Sequence, residues 1–333
     1  MHTFLFITEM SRIILGDCTK EINHVEDKSV QTIYIDPPFN SDRQYRLDSK
    51  SDVGFTDIWT DETYKVFIDT IITSCIKKLK DNGSLFFHIS AEEMFIPECI
   101  LRQKFKFVRP IFWKRCRSKN NIKKTLGASI DVIFWCYQSQ KRKFNMVYQA
   151  RDEYYVEHSF KNKDGRGNFA LGHLVADRTR KGYEYEYEIG GRTFAPKNGW
   201  RILKSELELL EKDDRLYVPK TKAANLYKKV YLDECEGKPA MDCWDDIPSI
   251  AQGSETRHYP TAKPVKLLER ILKMTTDEGD IVLDPTAGSG TTGIACKNLN
   301  RCYILIDQNP QSFEIMNERL VSSEAPQPNP VAT

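Results

Sequence analysis

A carboxylate, two rigid residues and an aromatic ring follow one another at the end of a short apolar run, in Tyr-Ile-Asp-Pro-Pro-Phe-Asn at residues 34–40. The carboxylate of Asp36 can accept an N–H hydrogen bond. The carbonyl of Pro37 offers a second acceptor, because a residue followed by proline is held away from the helical region. Pro37 and Pro38 both fix φ, which lowers the entropy of holding these groups ready. Phe39 offers a flat face for stacking, although a Pro-rich turn after a strand is the simpler alternative.

A second stretch with chemical potential is Asp-Pro-Thr-Ala-Gly-Ser-Gly-Thr-Thr, residues 284–292, between a predicted strand and a predicted helix. Gly288, Ser289 and Gly290 let the backbone turn sharply and approach a ligand closely, and the helix N-terminus behind them offers free N–H groups. No lysine follows the last glycine, which disfavours a P-loop and favours a small ligand with a carboxylate or a ribose. Asp307 ends the next strand, where an acid commonly binds ribose hydroxyls. A tight turn without a ligand is the alternative.

Short apolar runs rich in β-branched or aromatic residues predict the strands that carry these motifs. The predicted strands are 13–17, 30–36, 83–90, 107–113, 130–137, 281–284 and 302–307. Residues 61–83 show helical spacing, with Asp61 as the expected cap and Gly83 as the expected end. Further helices are predicted to open at Pro264, to start near Thr291 and to cover 310–320. This alternation of strands and helices predicts an α/β fold with a mostly parallel sheet.

The middle of the chain differs from both ends. Residues 145–245 are polar, contain many Tyr, Gly, Lys and Arg residues, and show little periodicity. They are therefore predicted to form a region inserted between two halves of one α/β domain, residues 1–144 and 246–320. The last residues, 321–333, are rich in Pro, Ser and Ala and are predicted to be disordered.

Composition excludes several classes of protein. The chain has 333 residues, of which 40% are hydrophobic, enough for a large core, and no apolar run reaches the ~18 residues of a membrane span. The first residues are briefly apolar but lack a basic leader and a small-residue cleavage site, so they are interpreted as a strand or a partner contact. The nine scattered cysteines form no C-x-x-C pair, which favours reduced thiols in the cytoplasm and disfavours disulfides and structural zinc.

Positive charge is concentrated in one part of the chain, although the net charge is only +2. Residues 104–143 contain twelve Lys or Arg residues and a single acid, Asp131. Within this range the basic segment, residues 114–124, lies between two predicted strands and is expected to be a loop. A solvated face is the simpler interpretation of such a run. A polyanionic partner is the sharper one.

Taken together, the two motifs resemble those of the S-adenosylmethionine-dependent amino-methyltransferases of DNA. The Asp-Pro-Pro-Phe motif precedes the glycine motif, which is similar to the β class of that family, whose Rossmann-like sheet is circularly permuted around a target-recognition region. Gly-Asp at 16–17, Tyr-Pro-Thr-Ala-Lys-Pro at 259–264 and Trp-Asp-Asp-Ile-Pro-Ser-Ile at 244–250 add to the resemblance. The run Thr286-Ala287-Gly288-Ser289 departs from the Phe-Cys-Gly-Cys or Phe-Ala-Gly-Ser of many relatives, which leaves the cofactor packing open.

The resemblance implies methyl transfer from S-adenosylmethionine to the exocyclic N6 of an adenine flipped out of duplex DNA, in a restriction-modification, phage or epigenetic setting. In this family an aspartate before Pro-Pro usually goes with adenine and a serine with cytosine. Three alternatives remain open: cytosine-N4 methylation, methylation of an amide or amine on protein or RNA, and a non-catalytic DNA-binding specificity subunit. The resemblance leaves the recognition sequence open.

The resemblance also implies roles for individual residues. Asp36 and the carbonyl of Pro37 would aim the target amine, Pro38 would stiffen the turn, and Phe39 would stack on the base. In the cofactor site, Asp17 would lie near the adenine, Asp307 near the ribose and Lys263 near the carboxylate. The whole set implied for the cofactor is Asp17, Cys18, Asp36, Lys263, Asp284, Pro285, Thr286, Ala287, Gly288, Ser289, Gly290, Thr291, Thr292 and Asp307.

Double-stranded DNA is the partner that the resemblance implies, with a homodimer and a cognate restriction endonuclease as further partners, no membrane, and a cytoplasmic, nucleoid-associated location. Phosphate contacts are expected from the basic segment, and residues 145–245 are expected to read the target. Residues 40–60, which are polar and acidic, are expected to form a mobile loop over the flipped base. The residues of the basic segment expected to bind DNA are Lys114, Arg115, Arg117, Lys119, Lys123 and Lys124.

Overall fold

The computed structural model describes residues 10–41, 43–46, 54–116, 126–221, 223–250 and 261–322. They fall into two compact units. The first unit comprises the described parts of Met1–Val147 and Ala240–Thr333, and the second comprises those of Tyr148–Pro239. Both predicted motifs lie in the first unit.

The strands follow in chain order: β1 Arg12–Leu15, β2 Val30–Ile35, β3 Arg43–Arg46, β4 Gly54–Asp57, β5 Leu79–Ser90, β6 Phe107–Lys114, β7 Ile130–Tyr137, β8 Tyr148–Gln149, β9 Asn162–Lys163, β10 Asn168–His173, β11 Tyr187–Ile189, β12 Arg192–Phe194, β13 Leu216–Tyr217, β14 Tyr227–Tyr231, β15 Lys238–Pro239, β16 Cys243–Trp244, β17 Ile281–Asp284 and β18 Cys302–Asp307. The α-helices are α1 Cys18–Glu21, α2 Asp61–Lys78, α3 Phe95–Lys104, α4 Glu153–Ser159, α5 Lys204–Lys212, α6 Val265–Thr275, α7 Thr291–Asn298 and α8 Pro310–Ser322, and a 3-10 turn covers Ile22–His24.

An eight-stranded sheet in the order β1-β18-β17-β2-β5-β7-β6-β16 forms the centre of the first unit. Neighbouring strands are parallel throughout, except that β7 runs antiparallel to β5 and β6. This confirms the predicted α/β fold with a mostly parallel sheet. Strand β2 pairs with β17 on one side and β5 on the other. The two motifs therefore end adjacent strands, as the permuted order requires.

Two apolar clusters cover the two faces of this sheet. Ile33 and Ile35 of β2 belong to the cluster that contains the buried residues of α2, such as Ile68. Tyr34, between them, belongs to the opposite cluster, which contains Leu268 of α6. Successive residues of a strand point to opposite faces, and a strand buried on both faces reads as a continuous apolar run. All six residues of β2 are buried accordingly.

Helix α2 differs from its prediction at both ends. Thr60, not Asp61, is its N-cap, and it forms a reciprocal capping box with Thr63. The helix ends at Lys78 rather than Gly83, because Leu79 is already extended, is buried, and pairs with Val30 as the first residue of β5. Lys78 is also buried, and its ammonium lies 2.6 Å from the carboxylate of Asp27. Burial and strand pairing thus outweigh the helical spacing that continues past Lys78.

The second unit contains a four-stranded antiparallel sheet in the order β13-β14-β10-β9, and two further strand pairs, β11 with β12 and β8 with β15. Its buried cluster includes Leu174, Trp200 and Leu207. The strands are short, which explains why the sequence shows little periodicity here. Throughout the described residues, every helix is too short or too polar to cross a lipid bilayer.

Candidate active site

The proline loop, residues 36–41, leaves the carboxyl end of β2 and meets the glycine loop, residues 284–292, at the end of β17. The backbone N–H of Asp36 donates to the hydroxyl of Thr286 at 2.9 Å, across 250 residues of sequence. The carboxyl ends of adjacent parallel strands lie at the same edge of the sheet, where α/β folds bind their ligands. The structure thus brings the two predicted motifs into direct contact.

A buried carboxylate that sequence reasoning missed holds the proline loop in shape. Asp57, at the end of β4, is 1% exposed. It accepts backbone N–H hydrogen bonds from Phe39 (3.1 Å), Asn40 (2.8 Å) and Ser41 (3.1 Å), and the Ser41 hydroxyl also donates to it at 2.6 Å. A carboxylate that accepts several N–H bonds is a strong local anchor. Nothing in the spacing of Asp57 from the proline loop pointed to this contact.

Two more contacts fix the same loop. The hydroxyl of Tyr64 donates to the carbonyl of Pro38 at 2.9 Å. The side-chain oxygen of Asn40 accepts from the backbone N–H of Trp59 at 3.1 Å. Asn40 has φ of +57°, a left-handed conformation that asparagine tolerates better than most residues. Two side chains outside the motif, Asp57 and Tyr64, therefore support the loop together with Asn40 inside it. Only asparagine's preference for turns could have hinted at one of these contacts.

Asp36 is paired with Lys263, which precedes α6 by two residues. Lys263 Nζ lies 2.5 Å from Asp36 Oδ2, and the two side chains are 13% and 19% exposed. The other carboxylate oxygen, Asp36 Oδ1, is buried, and within the described part of the chain it has no hydrogen-bond partner. Lys263 Nζ also lies 5.4 Å from the centroid of the Phe39 ring. Sequence reasoning expected Lys263 in the cofactor site and did not foresee its contact with Asp36.

The glycine loop turns through two left-handed residues, Gly288 with φ of +50° and Gly290 with φ of +75°. A Cβ on Gly290 would lie 2.7 Å from Cγ of Met316, so both backbone conformation and space favour glycine. The N–H of Gly288 donates to Oδ2 of Asp307 at 2.8 Å, and the N–H of Asn309 donates to Oδ1 at 2.9 Å. The strand-end acid therefore braces the loop from β18, and burial raises the pKa of its carboxyl.

Asp284 lies beneath the glycine loop and is almost fully buried. The N–H of Thr286 donates to Oδ1 at 3.0 Å, and the hydroxyl of Thr292 donates to Oδ2 at 2.5 Å. Burial raises the pKa of Asp284 to about 7, and these two hydrogen bonds oppose the shift. Both carboxyl oxygens are engaged within the protein, so Asp284 shapes the loop.

The raised pKa of Asp284 predicts a pH-dependent contribution to stability. In the folded chain the carboxyl of Asp284 keeps its proton up to about pH 7, whereas the ordinary pKa of aspartate is 3.8. The group's stabilising contribution is therefore complete below about pH 4 and is lost as the pH rises through about 7. Asp284→Asn cannot ionise at this position. Between pH 5 and pH 8 its free energy of unfolding is therefore expected to rise by about 2–3 kcal/mol relative to that of the parent. Urea unfolding of both proteins across this range measures the difference, and a pH-independent difference would contradict the prediction.

The remaining residues predicted for the cofactor lie around the same sheet edge. Asp17 caps α1, accepting from the N–H of Thr19 at 3.0 Å and from its hydroxyl at 2.7 Å, and the hydroxyl contact lowers its pKa. Burial raises the pKa of the Cys18 thiol to about 12, with Asp17 and Asp307 adding to the effect. Ser289 and Thr291 are buried, with their hydroxyl oxygens 3.1 Å apart. Pro285 and Ala287 belong to the glycine loop itself.

A buried polar chain behind the proline loop was also missed. The hydroxyl of Tyr34 lies 2.7 Å from Nδ1 of His88, and Nε2 of His88 lies 3.3 Å from Oδ2 of Asp131. Arg115 Nε lies 3.4 Å from Oδ1 of the same carboxylate. Burial raises the pKa of Asp131, but His88 and then Arg115 bring it below its ordinary value. The ring of His88 lies 6.0 Å from that of Phe39, so this chain supports the aromatic residue of the motif.

The predicted DNA-binding residues are described only in part. Lys114 is exposed at the end of β6, and the backbone N–H of Arg115 donates to the carbonyl of Ser129 at 3.0 Å. Arg117, Lys119, Lys123 and Lys124 lie outside the described residues. Of the expected loop over the base, residues 43–46 and 54–57 pair as antiparallel β3 and β4, and the residues between them also lie outside. The same holds for the apolar start of the chain and for the tail beyond 322. Within the described residues, no cluster of metal-ligating side chains occurs.

Comparison with known proteins gives consistent matches. A family model described as DNA methylase matches residues 30–318. The type II methyltransferase M.EcaI of Enterobacter cloacae is 26% identical over 306 residues, covering 91% of this chain and 67% of that protein. The DNA adenine methyltransferase YhdJ of Escherichia coli strain K12 is 25% identical over 315 residues, covering 95% of this chain and 84% of that protein. The chain spans 59% and 52% of two other curated relatives.

Among solved structures, the PvuII DNA methyltransferase, described as cytosine-N4-specific, aligns with a TM-score of 0.53. The alignment covers 94% of this chain and 87% of that one, at 12% sequence identity. At this identity the likeness concerns the fold alone.

Proposed function

The chain belongs to the DNA methylase family whose model it matches, and from this premise we propose that it methylates the exocyclic N6 of adenine in duplex DNA. S-Adenosylmethionine is the proposed methyl donor. The observation that carries the proposal is the buried oxygen Oδ1 of Asp36, which has no hydrogen-bond partner among the residues that the structure describes. An unpaired buried acceptor is unfavourable until a donor reaches it, and the amine of adenine is such a donor.

The chemistry explains why an amine needs these acceptors. The lone pair of an exocyclic amine is delocalised into the base, so the amine is a poor nucleophile until its two N–H groups are held in a fixed direction. Asp36 Oδ1 accepts one N–H in the proposed mechanism, and the carbonyl of Pro37 accepts the other. Asp36 then stabilises the positive charge that grows on the nitrogen. The proton leaves after transfer, because the methylated ammonium is strongly acidic, and no strong general base is required.

The target amine is inaccessible inside a duplex, so the base must leave the helix, at a cost of a few kcal/mol. Phe39 offers the face on which the flipped base stacks. Its ring is supported by His88, and its backbone N–H is held by Asp57. The residues that bind the base are therefore preorganised, which lowers the entropy of reaching a reactive geometry.

The donor set at the sheet edge fits S-adenosylmethionine. When bound, that cofactor supplies an electrophilic methyl group on sulfur. The side chains proposed to hold it are Lys263 for the carboxylate, Asp307 for the ribose and Asp17 near the adenine. Asp307 ends β18 and Asp17 follows β1, and these two strands are neighbours in the sheet. The left-handed Gly288 and Gly290 support a close approach of the glycine loop to the ligand.

Adenine is the proposed base because the residue before Pro-Pro is aspartate, and because the relative YhdJ is an adenine methyltransferase by name. DNA binding is proposed to involve the basic segment, whose phosphate contacts position the duplex without reading its sequence. The second unit is proposed to read the target. A homodimer, a cognate endonuclease and a cytoplasmic location near the nucleoid complete the proposal.

Nucleotide-resolution methylation mapping tests the reaction. The chain is expressed in a host without its own DNA methyltransferases. N6-methyladenine is expected in a single sequence context, and this modification is expected to be absent from cells expressing Asp36→Ala. N4-methylcytosine in place of methyladenine would reassign the base. Unmodified DNA, from a folded chain that binds DNA, would support a non-catalytic specificity subunit instead.

A further inference from the structure

One ammonium engages both groups that the proposed function assigns to the target base. Lys263 Nζ is paired with Asp36 Oδ2 at 2.5 Å and lies 5.4 Å from the centroid of the Phe39 ring. Asp36 is the proposed acceptor of the amine N–H, and Phe39 is the proposed stacking face. A lysine ammonium is an N–H donor and also binds aromatic faces. Lys263 therefore makes the same two kinds of contact that the flipped adenine would make.

The pair is sheltered enough for this competition to matter. Both side chains are mostly buried, and partly buried charges are screened by salt much less than exposed ones. Lys263 Nζ also has a longer contact, 3.4 Å to the carbonyl of Thr261. Asp36 remains half satisfied, since no described residue donates a hydrogen bond to Oδ1. The carboxylate thus has an ammonium on one oxygen and an open acceptor on the other.

Leaving Lys263 on Asp36 during the reaction would be unfavourable. Positive charge develops on the amine nitrogen as the methyl group moves, and a second positive charge on the same carboxylate would oppose it. The amino-acid end of the proposed cofactor carries a carboxylate, which is an alternative partner for the ammonium. Lys263 lies in the short segment that leads into α6, and its four-carbon stem is flexible. The side chain can therefore exchange one carboxylate for the other.

We propose that Lys263 is a positioning residue shared by the cofactor and the base: it holds Asp36 until a carboxylate-bearing cofactor draws it away. The target amine on Oδ1 then no longer shares the Asp36 carboxylate with a second cation on Oδ2. This inference rests on the proposed function and adds an order to it, with cofactor before base. Asp36 and the cofactor compete for one ammonium, so each weakens the other's hold on Lys263.

Calorimetric binding of two probes tests the competition without DNA and without turnover. S-Adenosylhomocysteine carries the carboxylate but no sulfonium charge, and methylthioadenosine lacks the carboxylate. Asp36→Asn is expected to bind S-adenosylhomocysteine about 5- to 10-fold more tightly than the parent, because Lys263 is free. Lys263→Met is expected to bind it about tenfold more weakly. In the double variant, Asp36→Asn should have no further effect.

Methylthioadenosine is the matched control, because it reports the folded adenosine site alone. Its affinity is expected to stay within about twofold in all three variants. Unchanged or weaker binding of S-adenosylhomocysteine by Asp36→Asn would overturn the competition while leaving the proposed methyl transfer intact. Failure of the parent chain to bind either probe would overturn the proposed cofactor itself, and the inference with it.

Fluorescence of 2-aminopurine tests the consequence for the base. The fluorophore replaces the target adenine in a duplex that contains the mapped site, and its emission rises when the base leaves the stack. For the parent chain, S-adenosylhomocysteine is expected to raise the emission several-fold. For Lys263→Met, the emission is expected to be high already in the absence of S-adenosylhomocysteine. If the emission with Lys263→Met rises only when S-adenosylhomocysteine is added, as it does with the parent, the proposed order of cofactor before base is contradicted.

Discussion

Replacing Asp36 with alanine is expected to slow methyl transfer to duplex DNA by about 10²–10³-fold. The substitution removes the acceptor that directs the amine and the charge that stabilises its transition state. Binding to bulk duplex is expected to persist, because phosphate contacts from other parts of the chain do not involve this carboxylate. Single-turnover transfer of a labelled methyl group from S-adenosylmethionine measures the rate, and electrophoretic mobility measures binding.

A carboxylate outside the site provides the control for this substitution. Asp81 is 87% exposed and is paired with Lys28 on the surface, so Asp81→Ala should transfer the methyl group at the parent rate. Asp36→Asn keeps one acceptor but loses the charge, and it is expected to fall between the parent and Asp36→Ala. An Asp36→Ala protein as fast as the parent would remove this residue from the mechanism.

The second large effect is expected from Asp57→Ala. It leaves the N–H groups of Phe39, Asn40 and Ser41 without the carboxylate that accepts them. The proline loop would then lose its preorganised shape, and we expect kcat to fall by about 10²-fold, since small misplacements of reacting groups have effects of this size. Loss of the buried acceptor should also lower the free energy of unfolding by a few kcal/mol.

The role of Asp57 is distinguished from a general loss of structure by two measurements. Affinity for methylthioadenosine, which lacks the carboxylate proposed to bind Lys263, should change by less than about twofold, because Asp57 contacts the proline loop and not the glycine loop. Tyr64→Phe removes a single hydrogen bond to the same loop, at the carbonyl of Pro38, and is expected to reduce kcat only a few-fold. Equal losses in methylthioadenosine affinity and kcat for Asp57→Ala would point to unfolding instead.

The parts of the fold and site that could be predicted share one physical basis. Strands that are buried on both faces of a sheet can be recognised in the sequence as continuous apolar runs. The predicted ends of β2, β17 and β18 all lie within one residue of their observed ends. The carboxyl ends of adjacent parallel strands coincide, so the two motifs could be expected to meet. The contact between Asp36 and Thr286 is the direct result.

What could not be predicted depends on contacts between distant side chains. Asp57 and Lys263 reach the proline loop from β4 and from the segment before α6, and no periodicity relates them to Asp36. His88 and Asp131 gave a weak signal, since each is a polar residue with an apolar residue on either side in its strand. Such a residue needs a buried partner, but only the pairing of β5 with β7 shows that these two partner each other. The predicted end of α2 was wrong for a related reason, because Leu79 is buried by strand pairing.

The permuted order of the sheet has a consequence for how this chain is made. Strand β2 pairs with β5, which follows it closely, and with β17, whose Val282 lies opposite Thr32. During synthesis one edge of β2 therefore stays unpaired until about 250 more residues have left the ribosome, at ~5–20 residues per second. An apolar strand with a free edge is a template for pairing with other chains. Slow synthesis or truncation before β17 should favour aggregation of this protein. In the finished chain, β17 pairs with the free edge of β2.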